Sequence, residues 1–167
     1  MAVEVSSALL LNLMRATYLA ERNEICGILR GRGDRLLRAD RARNVASAPK
    51  TSCEIDPAQL DAAFRSAGRK GSLEVLGYYH SRASGETAPS PQDAERAVPD
   101  GKLWLVVTRE RARLWRAVEH GALLGRFEPV TLDLMIGNQP PKRVDGVVLR
   151  GIGEPCDVQI EIPPPGM

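Results

Sequence analysis

A chain of 167 residues, 43% hydrophobic and 26% charged, has the length and apolar content of one soluble globular domain. Lys and Arg number 23 against 21 acids, and a formal net charge of +2 spread along the chain gives no basis for a nucleic-acid partner. Three cysteines (Cys26, Cys53 and Cys156) without Cys-x-x-Cys spacing argue against a disulfide framework or a cysteine zinc site, and for a reducing, cytoplasmic compartment. Leu9-Leu10-Leu11 lacks a basic segment before it and is interrupted by Asn12 and Arg15, so it predicts neither a signal peptide nor a membrane span.

Ser6 or Ser7 caps a predicted helix in which Leu9, Leu10, Leu13, Met14 and Thr17 keep the 3.6 period, ending near Glu21-Arg22-Asn23. Residues 24–30 read as a strand, Gly31-Arg32-Gly33-Asp34 as a turn, and 35–46 as a second strand interrupted by charge. Asp56-Pro57 opens a second helix, with Leu60, Ala63, Phe64 and Ala67 on one face and Gly68 or Gly71 as its stop. Residues 73–79 form a strand, and Ser90-Pro91-Gln92-Asp93 starts a short helix halted by Pro99-Asp100-Gly101. Three further strands are predicted at 103–108, 111–118 and 123–129, joined by turns at Arg109-Glu110 and Glu119-His120-Gly121. This order implies an α+β or mixed α/β sandwich, with helices flanking a curved sheet. Seven of the twelve prolines stand at or after Pro129. Residues 1–130 are therefore expected to form the main domain and 131–167 a Pro-rich C-terminal extension, with strands at 144–149 and 158–162.

The residues with chemistry to offer gather at the end of the 73–79 strand. Seven residues separate Arg82, in Gly77-Tyr78-Tyr79-His80-Ser81-Arg82-Ala83, from Ser90, and two separate Ser90 from Asp93. This resembles the metal-site motif of the JAB/MPN family, the JAMM zinc metallopeptidases, which reads His-Ser-His-Pro, seven residues, Ser, two residues, Asp. The family also carries an upstream glutamate near the start of its first strand. Glu24, in Asn23-Glu24-Ile25-Cys26-Gly27-Ile28-Leu29, stands where that pattern requires it, and Asn44-Val45-Ala46 fits as well. Two positions depart from the motif: Arg82 replaces the second metal histidine, and Ala83 replaces the proline.

The resemblance implies a JAB/MPN-like sandwich over about residues 3–130, with His80 and Asp93 as zinc ligands, Glu24 as general base and Ser90 as oxyanion donor. It also implies as partner a ubiquitin-like or sulfur-carrier protein whose tail is cut at a peptide or isopeptide bond. Taken singly, each residue has a plainer reading. Ser90 and Asp93 make a capping box, His80 is a polar residue leaving a sheet, Glu24 is a solvated carboxylate and Cys26 a small buried hydrophobe. Their conjunction at the family's spacing outweighs those readings. Arginine stays protonated and has no lone pair for zinc, so zinc is expected to be weakly held or absent. The Arg82 guanidinium is expected to turn inward and pair with Asp93 or Glu24. Three functions follow: a degenerate metallopeptidase that keeps a binding role, an active zinc enzyme with an atypical ligand set, or a non-catalytic scaffold that forms a homodimer; a displaced zinc held by His80, Asp93 and Glu24 would consume the base. None involves nucleic acid or a membrane.

Overall fold

The computed structural model describes residues 2–150 and 159–161, and its first element is a strand that the sequence reading missed. β1 (Val3–Ser6) buries Val3 and Val5 and turns Glu4 and Ser6 away, a pattern too brief to stand out before a helix. Ser6 ends the strand and caps α1 (Ser7–Leu19), its Oγ accepting the Leu9 amide at 3.1 Å. Leu10, Leu13, Met14 and Thr17 form the buried stripe, as the period predicts.

β2 (Cys26–Arg32) and β3 (Arg35–Ala42) follow as an antiparallel pair. The expected turn contracts from 31–34, because Gly31 and Arg32 remain paired with Leu36 and Arg35. β3 stops at Ala42, short of Ala46, and Asn44 makes only an isolated bridge to Ile55. α2 (Pro57–Ala67) starts at its Asp56 cap and ends on Gly68. Of its expected face, Ala63 is buried, while Phe64 is 43% exposed and belongs to the solvent side. β4 (Glu74–Ser81), α3 (Pro91–Arg96), β5 (Leu103–Val107), β6 (Arg111–Gly121) and β7 (Gly125–Val130) come next. β6 runs on through Glu119-His120-Gly121, which moves the hairpin turn to residues 122–124.

After residue 130 the chain adds β8 (Leu132–Met135), β9 (Lys142–Val144), β10 (Val147–Arg150) and β11 (Gln159–Glu161) to the same sheet. The expected strand at 144–149 is thus divided between β9 and β10, and Cys156 lies outside the described residues. The sheet order is β11-β10-β6-β5-β4-β2-β3-β1-β8-β9, with β7 beside β6. β1 lies parallel to both β3 and β8, and β4 parallel to β5; the remaining pairs are antiparallel. Among the described residues no helix is long and apolar enough to cross a membrane.

The sheet buries both faces, which sets the orientation of the site. Along β5, Leu103, Leu105 and Val107 join the main core with α1, while Val106, flanked by Trp104, packs with Trp115, Ala117 and Phe127 on the other face. A continuous apolar strand of this kind is what two-sided burial requires. β2 alternates in the same way, with Leu29 in the core and Ile28 against Ala63 of α2. The fold is therefore α+β, with α1 on one face of a mixed sheet and α2 and α3 on the other.

Candidate functional site

β4 carries His80 to the α2/α3 face by simple alternation. Tyr79 packs into the α1 core, so Tyr78 and His80 point the opposite way, and both meet the Trp104 ring edge-on with centroids 5.8 and 6.1 Å apart. Gly77 lets β4 lie this close to β5, since a Cβ there would run into the Leu103 backbone. Ser81, on the core side, locks the strand end to β2: its amide donates to the Ile25 carbonyl and its Oγ accepts the Ile25 amide, each at 2.8 Å.

The same lock fixes Glu24, one residue before Ile25. Glu24 lies just ahead of β2, the second strand of the chain, and is only 8% exposed, so the solvated reading fails. Its carbonyl accepts from Asn44 Nδ2 at 3.0 Å, and Asn44 reaches on to the Ser52 carbonyl at 2.9 Å. Burial pushes the Glu24 carboxyl above its ordinary pKa, partly offset by the Ala83 amide and the charges of His80 and Arg82.

Asp93 arrives on α3. Ser90 Oγ accepts the Asp93 amide at 3.1 Å and Asp93 Oδ2 accepts the Ser90 amide at 2.7 Å, a reciprocal box that needs no metal to form. The box leaves the Ser90 hydroxyl proton free to donate. His80 Nε2 lies 3.3 Å from Asp93 Oδ2 but off the line of a hydrogen bond, and it is closed to solvent without another hydrogen-bond partner. Burial works to raise the Asp93 pKa, but the His80 imidazole and the Ser90 cap outweigh it and hold the carboxyl down at about 2.

Glu24, His80, Arg82, Ser90 and Asp93, the five residues singled out from the sequence, line one cavity of about 320 Å³. Arg82 does not pair as expected: its Nη1 donates to the Ala88 carbonyl at 2.6 Å, and its backbone amide donates to the Val107 carbonyl at 2.9 Å. Carbonyls within the loop are nearer partners than the two carboxylates, which already have hydrogen bonds from Ala83 and Ser90. His120 is exposed in the β6–β7 hairpin, outside the cavity.

The sequence reading missed Cys53, which lines this cavity and an adjoining apolar one of about 260 Å³ bordered by Ile55, Leu60, Tyr78 and Trp104. No spacing signal marked it. The neighbouring Cys26 thiol and burial push the Cys53 thiol up. A larger polar cavity of about 420 Å³ lies on the far flank of Arg82 and includes neither His80 nor Asp93.

The donor set can be tested against a zinc ion. A catalytic zinc takes three protein ligands, and the unpartnered Nε2 of His80 beside Asp93 offers two. The third motif position holds a guanidinium, which cannot ligate. Among the described residues no three His, Cys, Asp or Glu side chains are arranged to hold a metal. The set does not fit a three-ligand site.

The mixed sheet and α3 bring His80, Ser90, Asp93 and the buried Glu24 to one cavity, the arrangement that the resemblance to the JAB/MPN family implies. The family described as prokaryotic homologs of the JAB domain (Prok-JAB) matches residues 6–118, and the chain belongs to that family. A desampylase from Haloferax volcanii is 31% identical over 101 residues, 58% of this chain and 72% of that protein. A desampylase from Pyrococcus furiosus is 32% identical over 87 residues, 52% of this chain and 61% of that protein. Among solved structures, a Desulfitobacterium hafniense protein superposes with a TM-score of 0.66 at 19% identity, covering 80% of this chain and 93% of that one. A JAB1/MPN domain protein from Archaeoglobus fulgidus gives 0.53 at 17%, covering 80% and 98%. At such identities these structures establish the fold, a curled mixed sheet with few helices.

Proposed function

We propose that this chain binds the tail of a ubiquitin-like or sulfur-carrier protein in the Glu24–His80–Asp93 cavity and is a degenerate metallopeptidase that does not depend on zinc to hold it. The two desampylase relatives support the class of partner. The observation that carries the reading is Arg82: a permanent cation lines the cavity at the position of the third donor and bonds a backbone carbonyl. The apolar recess beside Trp104 opens on His80 and Asp93, so a tail entering the cavity can place a side chain there.

The test pairs metal analysis with binding. Protein purified without added metal is expected to carry substoichiometric zinc and to capture a ubiquitin-like protein equally with and without chelator. Close to one tightly held zinc per chain, with chelator-sensitive isopeptidase activity, would overturn the reading. That outcome would favour the second one, an active enzyme with an atypical ligand set. The buried, unpartnered Nε2 of His80 speaks for this alternative, because an imidazole lone pair so placed suits a metal.

A further inference from the structure

The two residues that break the motif both form bonds that the motif residues do not supply. Arg82 Nη1 reaches forward to the Ala88 carbonyl at 2.6 Å, while its own carbonyl accepts the Gly85 amide at 3.2 Å. Ala83 donates its amide to Glu24 Oε1 at 3.3 Å, a bond closed to proline, which has no N–H. Behind them, the Trp115 indole donates to the Thr87 carbonyl at 2.8 Å. The segment from residue 82 to 90 is thus held at its start, its middle and its end. Its far end is the Ser90–Asp93 cap that rests against His80.

A metal bound from positions 80, 82 and 93 would join the end of β4 to the first turn of α3. In this chain the His80–Asp93 contact spans the same two elements, the Arg82–Ala88 bond closes the loop between them, and Glu24 is drawn in by the Ala83 amide. From this geometry we infer that Arg82 and Ala83 are positioning residues, a latch that keeps the 82–93 loop and Asp93 in place without a metal. The inference rests on the reading above that the cavity works without zinc. Arginine suits the role because its charge strengthens the bond to a carbonyl. Ala83 suits it because it returns the N–H that engages Glu24.

Hydrogen exchange on the full chain, with and without chelator, tests the latch against a general stabilising role. In Arg82→Ala and in Ala83→Pro, the hydrogen-bonded amides of Gly85, Ser90 and Asp93 are expected to exchange about tenfold faster or more, while those of β2 and β5 keep their protection. The His80 ring nitrogen shifts should move in both variants, and Arg82→Lys should restore part of the protection. Loss of protection spread evenly over the sheet, or no change at 84–93, would overturn the latch. Should Arg82→Ala fail to fold, Arg82→Lys and Ala83→Pro give the same readout. The chelator arm separates the two ideas. A wild-type loop that loosens on chelation is held by a metal, and both the binding reading and the latch fall. A chelator-inert wild type whose variants keep their protection leaves the binding reading standing and removes the latch alone.

Discussion

Helices α2 and α3 begin with the same local chemistry and serve different ends. Each has a side-chain oxygen at its N-cap, Asp56 in one and Ser90 in the other, and each has proline in its first turn. α2 runs for 11 residues, buries Ala63 against Ile28 and Val75, and is fastened from below by Arg30. α3 has six residues and buries none of them fully. Too short to be stable alone, it is held by its cap and its neighbours, and the residue that completes the cap is Asp93, which faces His80. A capping box in a helix this short does more to place a carboxylate than to start a helix.

The comparison can be broken in order of size. Arg30→Ala should cost the most, about 3 kcal/mol, because it removes bonds to Ser66 Oγ and the Leu73 carbonyl from a buried site and leaves their acceptors unpaired. Urea denaturation reads this directly, and a cost under about 1 kcal/mol would show that α2 does not need its tether. Asp93→Ala should cost about 2 kcal/mol, since the carboxylate serves both the cap and His80, and it should also abolish capture of a ubiquitin-like tail. Retained capture would place the binding surface elsewhere.

Ser90→Ala and Asp56→Ala sharpen the contrast, because each removes one cap bond worth about 1 kcal/mol. Their thermal shifts should be similar, yet only Ser90→Ala should weaken tail capture. Equal binding by the two variants would mean that α3 is a helix like any other. Phe64→Ser should change stability least, within about 0.5 kcal/mol, because the ring sits on the open side of α2.

Local signals in the sequence located most of the elements and singled out residues that line one candidate cavity. Leu10, Leu13 and Met14 keep a helical period, Asp56-Pro57 and Ser90-Pro91 announce helix starts, and the spacing of Glu24, His80, Arg82, Ser90 and Asp93 gathers them into one cavity. What escaped depends on partners far along the chain. β1 holds its four residues by lying between β3 and β8, and Cys53 reaches the cavity because Asn44 draws its loop toward Glu24. The orientation of Arg82 was missed for a related reason. Arg82 turns to a carbonyl of its own loop and not to the two carboxylates, and no residue pattern specifies the path of that loop. Phe64 satisfied the apolar period of α2 and still faces out, since periodicity marks a face without fixing how far the neighbouring strands extend beneath it.

β1 also bears on how the protein is made. Val3 pairs with Leu132 and Ser6 with Met135, so one flank of β1 finds its partner only when β8 has been synthesised. At about 5–20 residues per second that flank waits roughly ten seconds with its backbone groups unpaired. Contacts this distant in sequence slow folding and leave an open strand edge during the delay. α1, which follows directly and forms from local contacts, can cover Val3 and Val5 in the meantime. Until residue 132 emerges, that edge of β1 is open to mispairing with neighbouring chains.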